Sequence, residues 1–358
     1  MSEPYALLSD LHCHSWSAFG TRDANGVSSR LKIILSEIDR AASVLEAAGG
    51  RFIVLAGDLL HTRGAIDPEV FNPLHNCIEA LTLRGFRFIA IPGNHDLKSK
   101  ETTQLSNAIQ TLGSLEGFEV ITEPGNHYHI AGQNILLIPW ISTNDGLREK
   151  LRELARSYQA DKYDVVMHAG INNVLIGLPD HGLDAAEVAA FGFKRVFSGH
   201  YHNHKIMEDG KVISIGASSH QTWSDIGTKA GFLLVYPEKV VFYDSHAPKF
   251  VEINDEIDPD EIPLIVDGNY VRVRGKSATD AEINEFRRDF EKLGAKGFSY
   301  QGVREVVSAR AGGVSHKTTS IESSVTEFVK ARAFDPTEET FIAAAALDVL
   351  AAVRARTE

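Results

Sequence analysis

Cysteine is scarce in this chain. Of 358 residues only Cys13 and Cys77 are cysteines, too few for a disulfide framework and suited to a reducing cytosol. Long apolar runs are missing as well. The longest, "FIAAAALDVLAAV", is broken by Asp348 and falls short of the roughly 20 residues that cross a bilayer. The opening "MSEPYALLSD" has no basic n-region and enters a strand-like run at once. Secretion and membrane insertion are therefore not expected, and a cytoplasmic setting is. Positive charge is also in deficit: 36 Lys and Arg stand against 48 Asp and Glu, for a net charge of −12. That argues against indiscriminate adhesion to nucleic acid, since phosphate binding rests on lysine and arginine. A local basic groove is still allowed, because net charge is not a map of the field. Histidine, by contrast, is plentiful at 15 residues, and where these fall matters more than their number.

At 43% hydrophobic and 23% charged residues, the composition is that of a globular protein, and the length suggests two or three domains. The first part alternates short apolar strands with helical stretches, the pattern of a layered α/β domain. "YALLSD", "RFIVLAGD" and "FRFIAIPGNHD" read as strands. "VSSRLKIILSEIDRAASVLEAAGG", "FNPLHNCIEALTLRG" and "LREKLRELARSYQ" read as amphipathic helices. "FEVITEP" and "NILLIPW" are expected to be paired strands, "DVVMHAG" and "RVFSGH" follow as further strands, and "KVISIGA" to "VVFYDSH" as a meander. Composition shifts at the acidic, proline-bearing stretch "INDEIDPDEIP" (253–263), which marks a domain boundary. We expect a first domain over 1–255 and a small β-α-β unit over 263–307. A linker over 308–320 and two short helices over 321–358 complete the chain.

Five strand-to-loop junctions end in metal-ligand chemistry. They carry Asp10 and His12 in "SDLHCH", Asp58 in "AGDLLH", Asn94 and His95 in "GNHD", His168 in "MHAG", and His200 and His202 in "GHYH". In a layered α/β sheet such ends converge on one crevice, so residues far apart in sequence can share a site. Carboxylate, imidazole and amide together suit Mn, Fe or Zn better than Ca. In Asp10-x-His12 and His200-x-His202, positions i and i+2 of an extended segment face the same way. Gly57, Gly93 and Gly199 are expected to let the backbone turn tightly before each ligand. A lone strand-end histidine is more often a hydrogen-bonded structural residue, and a lone GNHD can be a plain turn. Five such elements in order outweigh that reading. His75, His127, His129, His181 and His246 lack this context, and His14, His204 and His220 are read as spectators.

The ordered set D-x-H, G-D-x-x-H, G-N-H-D, a lone H and G-H-x-H resembles the calcineurin-like metallophosphoesterase superfamily. Within it the chain resembles the SbcD-type DNA repair nucleases of archaea, bacteria and phages. The resemblance implies a four-layer α-β-β-α sandwich with a small capping domain and C-terminal helices. It implies two divalent ions, Mn2+ first, with Mg2+, Fe2+ or Zn2+ as alternatives. One would be held by Asp10, His12, Asp58 and His202, the other by Asp58, Asn94, His168 and His200, with Asp58 bridging. Such a pair clamps a phosphate and activates water for in-line attack. His95 would face the phosphate and protonate the leaving oxygen, Asp96 would hold its other ring nitrogen, and His61 would reach the substrate. His14 and Trp16 depart from the small residue common after the first motif. Ala217 stands where serine is common. No expected ligand is missing.

For DNA, the candidates are Arg63, Lys98 and Lys100 beside the motifs and Arg272 and Arg274 in the small unit, although exposed strands carry such charges in any case. "AGGVSHKTT" lacks the glycines of a nucleotide-binding loop, so an ATPase would have to be another chain. The resemblance implies an SMC-like ATPase (SbcC type) docking on the C-terminal helices, where Phe341, Ala345, Leu347, Val349, Leu350 and Val353 make an apolar face. It also implies a homodimer. A DNA nuclease subunit is the first reading. A small-molecule or cyclic-nucleotide phosphodiesterase and a non-catalytic assembly subunit are the alternatives.

Overall fold

The computed structural model describes residues 3–98, 107–175 and 181–302, together with positions 329, 340–342 and 344–347. Met1–Arg304 form one unit and Glu305–Glu358 another. The linker and most of the C-terminal helical segment, like Lys100, lie outside the described residues.

Two six-stranded sheets build most of the first unit, and their order follows from parallel crossovers. β1 (Tyr5–Leu8), β2 (Phe52–Leu55), β3 (Arg87–Ala90) and β4 (Phe118–Val120) run parallel in that order. Parallel neighbours need a crossover, commonly a helix. α1 (Ser29–Ala47) joins β1 to β2, and α2 (Pro68–Leu83) joins β2 to β3. In α1, Leu31, Ile34, Ile38, Ala41, Ala42 and Leu45 recur at helical spacing and are buried. α2 starts where Asp67 accepts the Glu69 N–H and Pro68 opens the first turn.

The second sheet repeats the plan. β5 (Asn126–Ile130) pairs antiparallel with β6 (Gln133–Ile138), and β7 (Tyr163–His168), β8 (Arg195–Gly199) and β10 (Val212–Ser214) continue in parallel. β9 (Lys205–Met207) closes that edge antiparallel to β10. α3 (Asn144–Ser157) and α4 (Ala185–Ala189) are its crossover helices. β11 (Gly231–Val235) and β12 (Val240–Asp244) return to the first sheet, antiparallel, beside β1.

Alternation on the strands sorts the core into layers. Ala6 and Leu8 of β1 pack with α1 and α2, whereas Tyr5 and Leu7 face the other sheet and meet Leu137, Val166 and Phe197. Leu136, Val165 and Val196 turn the opposite way onto Leu147, Leu151 and Leu154 of α3. The result is a four-layer α-β-β-α sandwich. "FEVITEP" and "NILLIPW" do not pair with each other: β4 edges the first sheet and β6 lies inside the second. The partner of β6 is β5, "NHYHI", a polar edge strand without apolar alternation. It is joined by Ala131 (φ 50) and Gly132 (φ 75), the two positive dihedrals of a tight hairpin. The "meander" likewise splits between sheets at β10 and β11.

A third, all-parallel sheet joins β13 (Phe250–Ile253), β14 (Tyr270–Gly275) and β15 (Gly297–Gly302). α5 (Ile262–Val266) and α6 (Asp280–Lys292) cover it, with Val266, Val271, Phe290 and Phe298 in its core. β13 precedes the acidic 253–263 stretch, so that stretch connects two elements of this unit. The "LIV" of "LIVDGNYVRVRG" is helical, and the strand begins at Tyr270.

Candidate metal centre

The ends of β1 and β2 are laced together by backbone bonds. Asp10 N donates to Gly57 O (3.1 Å), His12 N to Asp58 O (2.9 Å) and Cys13 N to Leu59 O (2.8 Å). This pairing sets Asp10 and Asp58 side by side in the interior, 0% and 1% exposed. Asp10 (φ 52), His12 (φ 45), Asp58 (φ 53) and His200 (φ 98) all occupy left-handed backbone. Non-glycine residues there cost on the order of 1 kcal/mol each, and such strain gathers at functional sites.

Of the three glycines, only Gly57 (φ 93) turns through positive φ. Gly93 and Gly199 serve close approach instead. A methyl at 93 would overlap the Asp58 carboxylate and backbone nitrogen, and one at 199 would overlap Ser9 Oγ and Ala56 O.

Three donor groups result, one of them His12 with His61 and His95. Asp10, His12 and His202 bring ligand atoms within 4.8 Å of one another, as do Asp58, His168 and His200. Asp58 lies between them. Its Oδ2 is 3.6 Å from His12 Nε2 and 3.4 Å from His168 Nε2, and its Oδ1 accepts the His95 N–H at 2.7 Å. Asn94 Oδ1 is 3.2 Å from His168 Nε2. Among the described residues the ion-pair partners of Asp10 and Asp58 are imidazoles, not lysine or arginine. Two buried carboxylates without a fixed cation, ringed by nitrogen donors and a neutral amide, fit a pair of divalent ions.

The protonation pattern agrees. Burial would push Asp58 up, but the His168 charge overrides it and holds the carboxyl well below its usual range. Burial raises Asp10. Burial lowers His12 well below its usual value and brings His200 to about 3. Both therefore present neutral rings. His168 and His202 go the other way: burial opposes the charge, but Asp58 and Asp225 respectively override it and hold each near 9.

His95 and His61 join the site beside His12. His95 Nδ1 donates to the His61 carbonyl (2.7 Å), and His61 Nδ1 lies 3.4 Å from His12 Nδ1. Burial lowers His61 to about 4. Asp96 does not hold the His95 ring. Its carboxylate accepts from Leu59 N (3.3 Å), Leu60 N (3.0 Å) and Gly93 N (2.9 Å). It faces the Asp58 loop because the tight turn of "GNHD" points it inward, and the ring takes the nearer carbonyl.

Three partners were not foreseen. Asp225 accepts from His202 Nδ1 at 2.8 Å; its T-x-x-D capping box with Thr222 is a signal present in the sequence. Trp140, at the end of β6, packs 5.1 Å from the His200 ring. His220, outside the donor groups, accepts the Phe250 N–H at 3.1 Å. His204 stacks flat on Phe242, and His14 packs on His61 and Trp16.

The DNA candidates fall on different elements. Arg63 precedes Gly64, whose surroundings include exposed Lys98. Arg272 is engaged internally, 2.6 Å from Glu252 and over the Trp223 ring at 4.7 Å, and Arg274 lies 3.4 Å from the same carboxylate.

Donors drawn from the strand ends of two facing sheets, with a shared acid between them, define a metal-dependent phosphoester hydrolase. The chain belongs to the calcineurin-like phosphoesterase family, whose model matches residues 4–204. It is 27% identical over 180 residues to exonuclease subunit 1 of Enterobacteria phage T4, covering 49% of this chain and 50% of that protein. It thus spans about half the length of the curated relative it matches. Solved structures that resemble it include a dimetal phosphatase from Danio rerio (TM-score 0.39, 11% identity, 68% of this chain and 96% of that one). Another is the nuclease MPE from Pseudomonas putida (TM-score 0.31, 16% identity, 67% and 87%). No helix among the described residues is long and apolar enough to cross a membrane.

Proposed function

We propose that this protein is a DNA nuclease subunit, using two divalent ions, Mn2+ first, to hydrolyse phosphodiester bonds. It would trim duplex ends 3′ to 5′, cut single strands or hairpins, and work as a homodimer with an SMC-like ATPase in repair or recombination. The observation that carries the reading is Asp58, placed between two donor groups. The partial likeness to a phage exonuclease subunit directs it toward DNA.

Asp10, His12, Asp58 and His202 would hold one ion, and Asp58, Asn94, His168 and His200 the other. Bound there, the pair supplies Lewis-acid chemistry and makes water a nucleophile near neutral pH. The protein's own groups do the rest. His95 spends Nδ1–H on the His61 carbonyl, which leaves Nε2 to pass a proton to the leaving oxygen. Trp140 packs against the His168 and His200 rings and limits how they can turn.

In the test, purified protein with Mn2+ is given linear duplex, single-stranded DNA and a small phosphodiester. DNA cleavage is expected. His95→Ala should lose ~10²–10⁴-fold in turnover while still binding two ions. Hydrolysis of the small ester with both DNAs left intact would sink the nuclease reading. A second reading, a phosphodiesterase of small phosphoesters, is supported by a cleft of about 510 Å3 beside His200 and His202, of single-ligand size. It predicts turnover of cyclic nucleotides or phosphomonoesters with both DNAs left intact.

A further inference from the structure

The stretch from His220 to Asp225 makes contacts that the chemistry above does not use. Asp225 is 3% exposed. One oxygen takes the His202 Nδ1 proton, and the other accepts from Gln221 N (2.7 Å) and Thr222 N (2.8 Å). This fixes Nδ1 as the nitrogen that keeps its proton, so Nε2 is the one left to give up a proton and serve as the donor. Gln221, 2% exposed, donates Nε2–H to the Leu11 carbonyl at 3.1 Å. Leu11 sits between Asp10 and His12, both in left-handed backbone, so the amide clamps the peptide that aims these two side chains. One six-residue segment therefore orients three of the four donors of one half-site.

The same segment is gripped by the β13–β15 unit. His220 Nδ1 accepts from Phe250 N, the first residue of β13, while its Nε2 donates to Thr228 O at 3.1 Å. Arg30, 3% exposed, donates to Gln221 O (2.9 Å) and His220 O (3.4 Å). Its guanidinium lies over the rings of Phe250 (5.1 Å) and Tyr270 (4.9 Å), and Phe19 stacks on Tyr270 from α1's side of the chain. The other half-site is supported mainly from elsewhere: His168 donates Nδ1–H to Ala56 O, and Asp96 holds the loops bearing Asp58 and Asn94, while the His200 N–H on the Asp10 carboxylate (2.9 Å) ties it directly to the first. Among the described residues no hydrogen bond runs from 220–225 to Asn94 or His168.

We infer that residues 220–225 are a positioning brace that ties docking of the β13–β15 unit more closely to one half-site, that of Asp10, His12 and His202, than to the other. Gln221 and Asp225 are its positioning residues, and Arg30 and His220 are its anchors on the β13–β15 unit. The inference rests on the two-ion reading of the site. Displacing that unit would loosen one ion and leave the other in place.

Calorimetric titration of the full chain with Mn2+ tests this. The unaltered protein should take up two equivalents. Gln221→Met keeps the volume but cannot donate to Leu11. Asp225→Asn leaves a single acceptor oxygen, so an amide N–H must face either His202 Nδ1 or the backbone N–H groups of Gln221 and Thr222. Each should weaken one equivalent by about ten- to a hundredfold and leave the second within about twofold. Arg30→Met should do the same from the β13–β15 side. If it is too unstable to titrate, Tyr270→Leu, which removes the ring beneath the guanidinium that also stacks on Phe19, carries the same expectation. Phe286→Ala, on the far surface of that unit, should change neither equivalent. If both equivalents weaken together, or none does, the brace is overturned while the metal centre stands. If the unaltered protein takes up no Mn2+, the metal centre falls and the brace with it.

Discussion

A methyl group at position 93 has no room, because the Asp58 carboxylate and backbone nitrogen already occupy the space. Backbone and a buried acid cannot swing aside as a flexible chain end would. Gly93→Ala is therefore expected to cost about 1–3 kcal/mol and to strip Mn2+ binding, read by thermal unfolding and metal titration on one sample. Protonation acts at the same scale. His168 and His202 are held near 9 in the metal-free protein by Asp58 and Asp225. An imidazole raised above its unfolded value of about 6.5 adds stability that is complete below that pH and lost as pH rises through 9. Metal must displace those protons, so its affinity should climb by up to about tenfold per pH unit for each proton between pH 6.5 and 9. Proton release measured in two buffers of different ionisation heat checks this. Affinity that is flat across the interval contradicts the assignment.

Among the elements, β8 is tied to its neighbours by more than its ladder. Arg195 meets Asp164 of β7 through Nε (2.8 Å) and Nη2 (2.5 Å), and reaches Tyr236 O at the end of β11 in the other sheet (2.9 Å). Gln133 adds a bond to Val235 O. Removing one partner leaves a buried charge uncompensated. Asp164→Asn or Arg195→Met is expected to destabilise by roughly 3–5 kcal/mol, and an apolar replacement of both by much less. Denaturant unfolding of the two singles and the double decides it; additive losses would mean the pair is not coupled. The helices were readable because their apolar stripes and caps are local. β5 was not, because "NHYHI" is polar and edge strands need no apolar alternation.

For the molecule as a whole, the candidate ligands come from both sheets. Asp10, Asp58 and Asn94 follow β1, β2 and β3, while His168 and His200 end β7 and follow β8. Bound ions would staple the two halves of the sandwich, so chelation should lower the stability of the whole first unit rather than of one loop. A free ion at 100 times its dissociation constant adds about 2.7 kcal/mol, and a drop in Tm of several degrees on chelation is expected. An unchanged Tm would mean that the ions bind a surface loop.

The chain's own order of residues determined which side chains are candidate ligands, because each motif is short-range: a strand end, a turn and a side chain within a few positions. It also determined the helices and the alternation that sorts the core into layers. Folding alone decided to which sheet β4, β6 and β10 belong, since an apolar strand fits either face of such a sandwich. Folding also decided that His95 donates to the His61 carbonyl rather than to Asp96, and that Gln221 clamps a peptide 210 positions away. Those choices depend on ångström-scale approach between segments distant in sequence, which no local pattern encodes.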